Sequence, residues 1–232
     1  GVIDVSASTA GNYDILYTPP VFGPLGQDVD GEAAQDFAGS SVALNAAGNR
    51  MIVGAYGNDG AGGTAGHARI YEWNGTTWNQ LGADIDGEAA GDQSGWSVAM
   101  SGNGNRVIVG ARFNDGNNSN SGHVRMYQWS GSAWVQMGAD INGESALDQF
   151  GYAVSMNDAG DRIAVGAINN DGNNSNSGHV RIYSWNGTSW GQVGADIDGE
   201  AGGDQSGYAV SLNAAGDKVV IGAASNDAGN FN

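Results

Sequence analysis

Residues 81–134 read LGADIDGEAAGDQSGWSVAMSGNGNRVIVGARFNDGNNSNSGHVRMYQWSGSAW. Short apolar runs alternate with Gly, Asn and Ser clusters, the pattern of strands joined by tight turns. The first strand expected is 95–100, small and apolar, with Val98 and Met100 on one side. The second is 106–111 (RVIVGA), a continuous apolar run that suits a strand covered on both faces. The third, 123–129, alternates with period two: His123, Arg125, Tyr127 and Trp129 on one face, Val124 and Met126 on the other. The fourth is 133–137, carrying Trp134. Turns fall at 101–105 and 130–132, where Gly and Asn tolerate positive φ.

The same sentence recurs. Leu25-Gly26, Leu81-Gly82, Met137-Gly138 and Val193-Gly194 are spaced by 56 residues without insertion or deletion. Residues 114–125 and 170–181 are identical (NDGNNSNSGHVR). Four antiparallel strands in such a unit make a blade-sized sheet. The fold expected is all-β: one β-propeller domain over 1–232, with four blades of four antiparallel strands. The last copy ends after its second strand, at 218–223. The N-terminal stretch 13–17 (YDILY) sits one period before 69–73, and Phe22 one period before Trp78. Residues 1–24 are therefore expected to complete the last blade and close the ring, which removes exposed sheet edges. Residues 1–8 and 225–232 then share one place in the repeat frame. The first segment, with Val2, Ile3 and Val5, is expected to pair either with an edge of its own ring or, the reading adopted, with a protein partner or a second copy.

The run FGYAVSMNDAGDRIAVGAINNDGNNSNSGHVRIY (150–183) resembles the FG-GAP repeat of integrin-α-like propellers and of bacterial-type extracellular repeat proteins. Phe-Gly itself stands only at Phe150-Gly151, while Gly-Ala recurs at 54–55, 110–111, 166–167 and 222–223. The resemblance implies adhesion, ligand binding or scaffolding outside the cell. The family's seven-blade ring is not matched by four units. Its D-x-D-x-D-G calcium loop is replaced by turns such as 157–161 (NDAGD).

Composition agrees with many short strands: 41 Gly against 3 Pro in 232 residues. The net charge of −17, with one Lys and seven Arg, repels nucleic acid and anionic membranes. No stretch has the apolar length of a membrane span. There is no Cys, hence no disulfide and no thiol chemistry.

The densest chemical feature is the motif D-x-D-G-E-x-x-x-D in the connections. It comprises Asp28, Asp30, Glu32 and Asp36; Asp84, Asp86, Glu88 and Asp92; Asp140, Glu144 and Asp148, with Asn142 between; and Asp196, Asp198, Glu200 and Asp204. Carboxylates alternating around a Gly turn suit calcium, which takes six to eight oxygens. The same residues equally serve as caps for turn N–H groups. His67, His123 and His179 are equivalent and repeat in register, which argues for a structural role beside a carboxylate or carbonyl. The pairs Trp73/Trp78, Trp129/Trp134 and Trp185/Trp190 read as packing, or as stacking platforms for sugars. No asymmetric catalytic constellation stands out and no cofactor motif is present. The expectation is a secreted or cell-surface, non-catalytic scaffold or adhesion propeller that self-assembles; the alternative is a multivalent, calcium-dependent carbohydrate-binding module on surface glycans.

Overall fold

The structure is a computed structural model and describes residues 3–7, 13–17 and 23–227. It is all-β, with antiparallel sheets that repeat in the 56-residue frame. The N-terminal strands are β1 (Ile3–Ala7) and β2 (Tyr13–Tyr17). Sheet 1 contains β3 (Ser41–Leu44), β4 (Arg50–Ala55), β5 (His67–Trp73), β6 (Trp78–Gln80) and β7 (Ile85–Asp86). Sheet 2 contains β8 (Ser94–Met100), β9 (Arg106–Ala111), β10 (His123–Trp129), β11 (Trp134–Gln136) and β12 (Ile141–Asn142). Sheet 3 contains β13 (Phe150–Met156), β14 (Arg162–Ala167), β15 (His179–Trp185), β16 (Trp190–Gln192) and β17 (Ile197–Asp198). Sheet 4 contains β18 (Ser206–Leu212) and β19 (Val219–Ala223).

In the first three sheets four strands lie in sequence order, as the spacing predicts. The fifth, two-residue strand was not foreseen. It is the acidic connection folding back on the start of the third strand, pairing His67 with Asp86 and Ala68 with Ile85. The same pairing joins His123 to Asn142 and His179 to Asp198.

The core lies between sheets. Val107 and Val109 on β9 pack with Ile52 and Ile70 of sheet 1, whereas Ile108 packs with Phe150, Ile163 and Val165 of sheet 3. That is why the second strand is apolar at successive positions: alternate side chains enter two different core layers. On β10, Val124 and Met126 turn to sheet 3 and Tyr127 to sheet 1, as the alternation requires.

Sheets approach closely enough that side chains are excluded at one point. A Cβ on Gly54 would overlap the carbonyl oxygen of Gly95; Gly110 meets Gly151 and Gly166 meets Gly207 in the same way. The second member of each pair has positive φ (83°, 88° and 92°). It lies in a bulge where β8, β13 or β18 gains residues over its partner. The Gly of Gly-Ala and the Gly of Phe-Gly are thus the two halves of one contact between neighbouring sheets. Polar bonds reinforce it. The Ser97 hydroxyl donates to the Gly151 carbonyl at 2.7 Å, and Arg50, Arg106 and Arg162 each donate to a carbonyl in the next sheet's first turn.

The N-terminal strands pair antiparallel with each other, Ile3 opposite Tyr17, and β18–β19 forms a two-stranded sheet. Tyr13–Tyr17 was expected beside the final strand; the pairing seen is with Ile3–Ala7, an equally β-prone segment a few residues away in sequence. Phe22, residues 1–2 and residue 8, and residues 228–232, on which part of the terminal expectation rested, lie outside the described residues.

A test of the glycine contact follows. Gly110→Ala should lower the unfolding free energy by about 1–3 kcal/mol through overpacking against backbone. Gly191→Ala, where an added Cβ meets nothing within 4 Å, should change it by less than about 0.5 kcal/mol. Urea unfolding followed by tryptophan fluorescence measures both.

Candidate metal centre

The fold-back of β7 places Asp84 beside His67 and Arg69 of the sheet it follows. Glu88, four residues on, reaches the next sheet, where it meets His123. Each connection therefore delivers an Asp to one sheet and a Glu to its neighbour. The result is three equivalent clusters: Glu32, His67 and Asp84; Glu88, His123 and Asp140; Glu144, His179 and Asp196. In each, one potential ligand atom per residue lies within 4.8 Å of the others.

The imidazoles are buried, with 1% of the His123 and His179 side chains exposed. Their Nδ1 atoms have no hydrogen-bond partner. The nearest carboxylate oxygens stand at 3.8 Å (Asp84), 3.7 Å (Glu88) and 3.7 Å (Asp196), beyond hydrogen-bond reach. The hydrogen bond expected for a structural His is therefore not made at Nδ1. Burial, aided by the Arg125 charge and opposed by Asp140, pushes the His123 imidazole down to about 4. Burial also lowers His67 and His179.

The arginines are not disposed alike. Arg69 grips Asp84 with Nε at 2.9 Å and NH2 at 2.7 Å, and also pairs with Glu32. Arg181 grips Asp196 at 2.8 and 2.7 Å and pairs with Glu144. These forks hold the Asp84 and Asp196 carboxyls below the usual carboxylate range. Arg125 instead donates through NH2 to the Asp86 carbonyl. Its NH1 stays 3.7 Å from Glu88, and its buried Nε has no partner. Asp140 there accepts from Gln136 at 2.6 Å.

The other carboxylates divide clearly. Asp36, Asp92, Asp148 and Asp204 are buried caps: each Oδ2 accepts from the backbone N–H three residues earlier, at 2.9–3.1 Å. Each also accepts from an Asn amide of the N-D loop: Asn58, Asn114, Asn170 or Asn226. Asp86 and Asp198 lie in the fold-back strands. Asp28, Asp30 and Glu200 join none of the three clusters. The expected single acidic loop is thus split three ways, and the part that could hold a cation includes an imidazole that spacing alone had set apart.

The tryptophan pairs tie outer edges together. Their rings are tilted at 5.3–5.4 Å, and Trp78, Trp134 and Trp190 donate to the carbonyls of Leu25, Leu81 and Met137. A second aromatic feature escaped the repeat pattern: Phe37, Tyr56, Trp96, Tyr152 and Tyr208 form a continuous ladder with centroids 4.9–5.7 Å apart. Arg112 lies over Trp96 at 3.2 Å. Only Trp96, Tyr152 and Tyr208 share a repeat position; Phe37 and Tyr56 do not.

These observations define an all-β repeat protein whose sheets are joined by near-identical polar junctions. The FG-GAP repeat family matches residues 84–127 and 142–183, each stretch holding a Gly-Ala pair and a histidine of one junction. Two FG-GAP repeats are thus matched in the chain. No curated protein matches it.

A pH dependence follows. The folded His123 ring titrates at about 4 and a free histidine at about 6.5. Between these values the unfolded chain binds the extra proton, so stability rises with pH across the window and falls on acidification. The full loss is roughly 3 kcal/mol for this group. Melting temperatures in EDTA-containing buffers from pH 7.5 to 4.5 should fall steadily for the native chain and fall less for His123→Gln.

Proposed function

We propose that the chain is a non-catalytic extracellular scaffold or adhesion module. Its four sheets close as blades of one ring, with its end faces completed by each other. The carrying observation is the asymmetry of burial at the ends. Val98 and Met100, on the face of sheet 2 toward sheet 1, are each 7% exposed, whereas their equivalents Val42 and Leu44 are 64% and 60% exposed. At the other end Val220 is 70% exposed, whereas its equivalent Ile108 is fully buried. Ile52, the sheet 1 counterpart of Val220, shares a core cluster with Val98, the counterpart of Val42. The two exposed faces are therefore complementary halves of an interface the chain already builds. An apolar face left in water favours such association at roughly 25 cal/mol per Å².

Other features support a scaffold. Polar groups recur in register, where a catalytic centre needs one singular arrangement. The recess against His67 and Arg69 holds ≈ 10 Å³, about one water, and a wider one of ≈ 450 Å³ lies away from the carboxylates, against Met137, Trp185 and Thr188. Strong negative charge discourages nucleic acid and anionic lipid. Among the described residues no helix is long and apolar enough to cross a membrane.

One observation favours a second reading, a carbohydrate-binding module. The aromatic ladder is half-exposed, with Tyr208 46% and Phe37 54% accessible. Exposed aromatic rings in a row offer contacts to successive sugars, here through the outward sides of rings that also pack on one another and on Arg112. The Trp pairs are already committed to neighbouring backbone.

The chain lacks cysteine, so a Val42→Cys, Val220→Cys double variant carries only the introduced thiols. Oxidation, or a short dithiol cross-linker, should give a cross-linked monomer on a non-reducing gel. A ladder of multimers would replace the ring with head-to-tail self-assembly, and an absence of cross-links would defeat both. On a glycan array, binding that disappears in Trp96→Ala would establish the carbohydrate reading.

A further inference from the structure

We propose that the central junction binds a divalent transition-metal cation of the zinc type through Nδ1 of His123 and one carboxylate oxygen each of Glu88 and Asp140. Three observations converge there. The ligand atoms already lie within 4.8 Å of one another. The Nδ1 of His123 is buried, without a partner, and 3.7 Å from Glu88 Oε2. Arg125 is turned to the Asp86 carbonyl, so no guanidinium fork grips Asp140 as Arg69 grips Asp84 and Arg181 grips Asp196.

An unpartnered buried ring nitrogen beside two carboxylates is a polar group without compensation. A cation supplies it. A neutral imidazole, which has a free ring nitrogen lone pair, is the ligating form. One nitrogen with two carboxylate oxygens matches zinc, cobalt, nickel or manganese. It does not match calcium, which takes an all-oxygen shell. Glu88, 45% exposed, leaves the solvent side open for water to complete the coordination. The flanking junctions have the same ligands, but there an arginine fork already grips the Asp carboxylate, whereas Arg125 only approaches Glu88, at 3.7 Å, and leaves Asp140 to Gln136. One equivalent per chain is therefore expected, although three clusters exist.

Such an ion would join three segments: the connection before sheet 2, the start of β10, and the connection after it. Its role is that of a tie, distinct from the end faces on which the scaffold reading rests.

The test uses the full chain stripped with EDTA and titrated with Co²⁺ as a spectroscopic probe, then with Zn²⁺ by calorimetry. One equivalent of Co²⁺ should give visible absorption bands distinct from the aqueous ion. Zn²⁺ should displace them, and the same concentration of Ca²⁺ should not. Glu88→Gln, at an exposed position, should keep its melting temperature in EDTA and bind at least about tenfold more weakly. His123→Gln should abolish the bands, while His67→Gln and His179→Gln should keep them. If His123→Gln does not fold, Glu88→Gln and Asp140→Asn decide. An aqueous Co²⁺ spectrum, three equivalents bound, or unchanged affinity in Glu88→Gln and Asp140→Asn would each overturn the proposal.

Discussion

Backbone meets backbone at Gly54 and Gly95, Gly110 and Gly151, and Gly166 and Gly207, and everything else in the stack is set by that distance. A methyl group at the first position of each pair would strike a carbonyl oxygen. The second position needs positive φ to carry the bulge. With the separation fixed there, the alternating side chains of β9 reach core layers on both sides, and Ile163 and Val165 of β14 complete one of them. The arginines of the second strands reach turns on the neighbouring sheet. The acidic connections are drawn tight enough to fold back as two-residue strands. Two glycines in different strands thus act as one spacer, although they lie 41 residues apart.

The connections turn this spacing into chemistry. Their last aspartate is spent on the turn itself, holding a backbone N–H and an asparagine amide. Their first aspartate serves the sheet behind, and their glutamate the sheet ahead. The guanidinium that neutralises this pair is bidentate in the flanking junctions and turned away in the central one. The same Glu, His, Asp and Arg in a 56-residue repeat therefore meet in two arrangements, and the central connection also carries Asn142 where the flanking ones carry Asp86 and Asp198.

Much of the fold was legible because its signals are local. The apolar run RVIVGA, the alternation in HVRMYQW and the Gly-Asn turns each report one strand or hairpin, and the unbroken repeat multiplies them. The fold-back strands were not legible. Two residues flanked by Asp and Gly carry no periodicity, and their pairing with the His end of the third strand is a tertiary event. The candidate site was visible in its residues but not in its grouping. Sequence adjacency united Asp84, Asp86, Glu88 and Asp92, whereas space separates them into a clamp for one sheet, a strand residue, a neighbour of the next sheet's histidine and a cap. The aromatic ladder was hidden for a related reason: Phe37 and Tyr56 extend it from repeat positions that Trp96 and Tyr152 do not use.

The shared carboxylates also bear on how the molecule comes apart. Sheets 2 and 3 each have neighbours on both faces and exchange ion pairs or ring contacts through both flanking connections, whereas sheet 4 has two strands and an uncovered Val220. Once the proposed ring opens at its end faces, the sheets become a linear array with nearest-neighbour coupling, and loss of order spreads from where coupling is least. Amide exchange would then be graded along the chain, fastest in β19 and slowest in β9 and β14. A force or protease acting on the C-terminal end would peel the repeats one at a time, each step releasing one junction's worth of resistance.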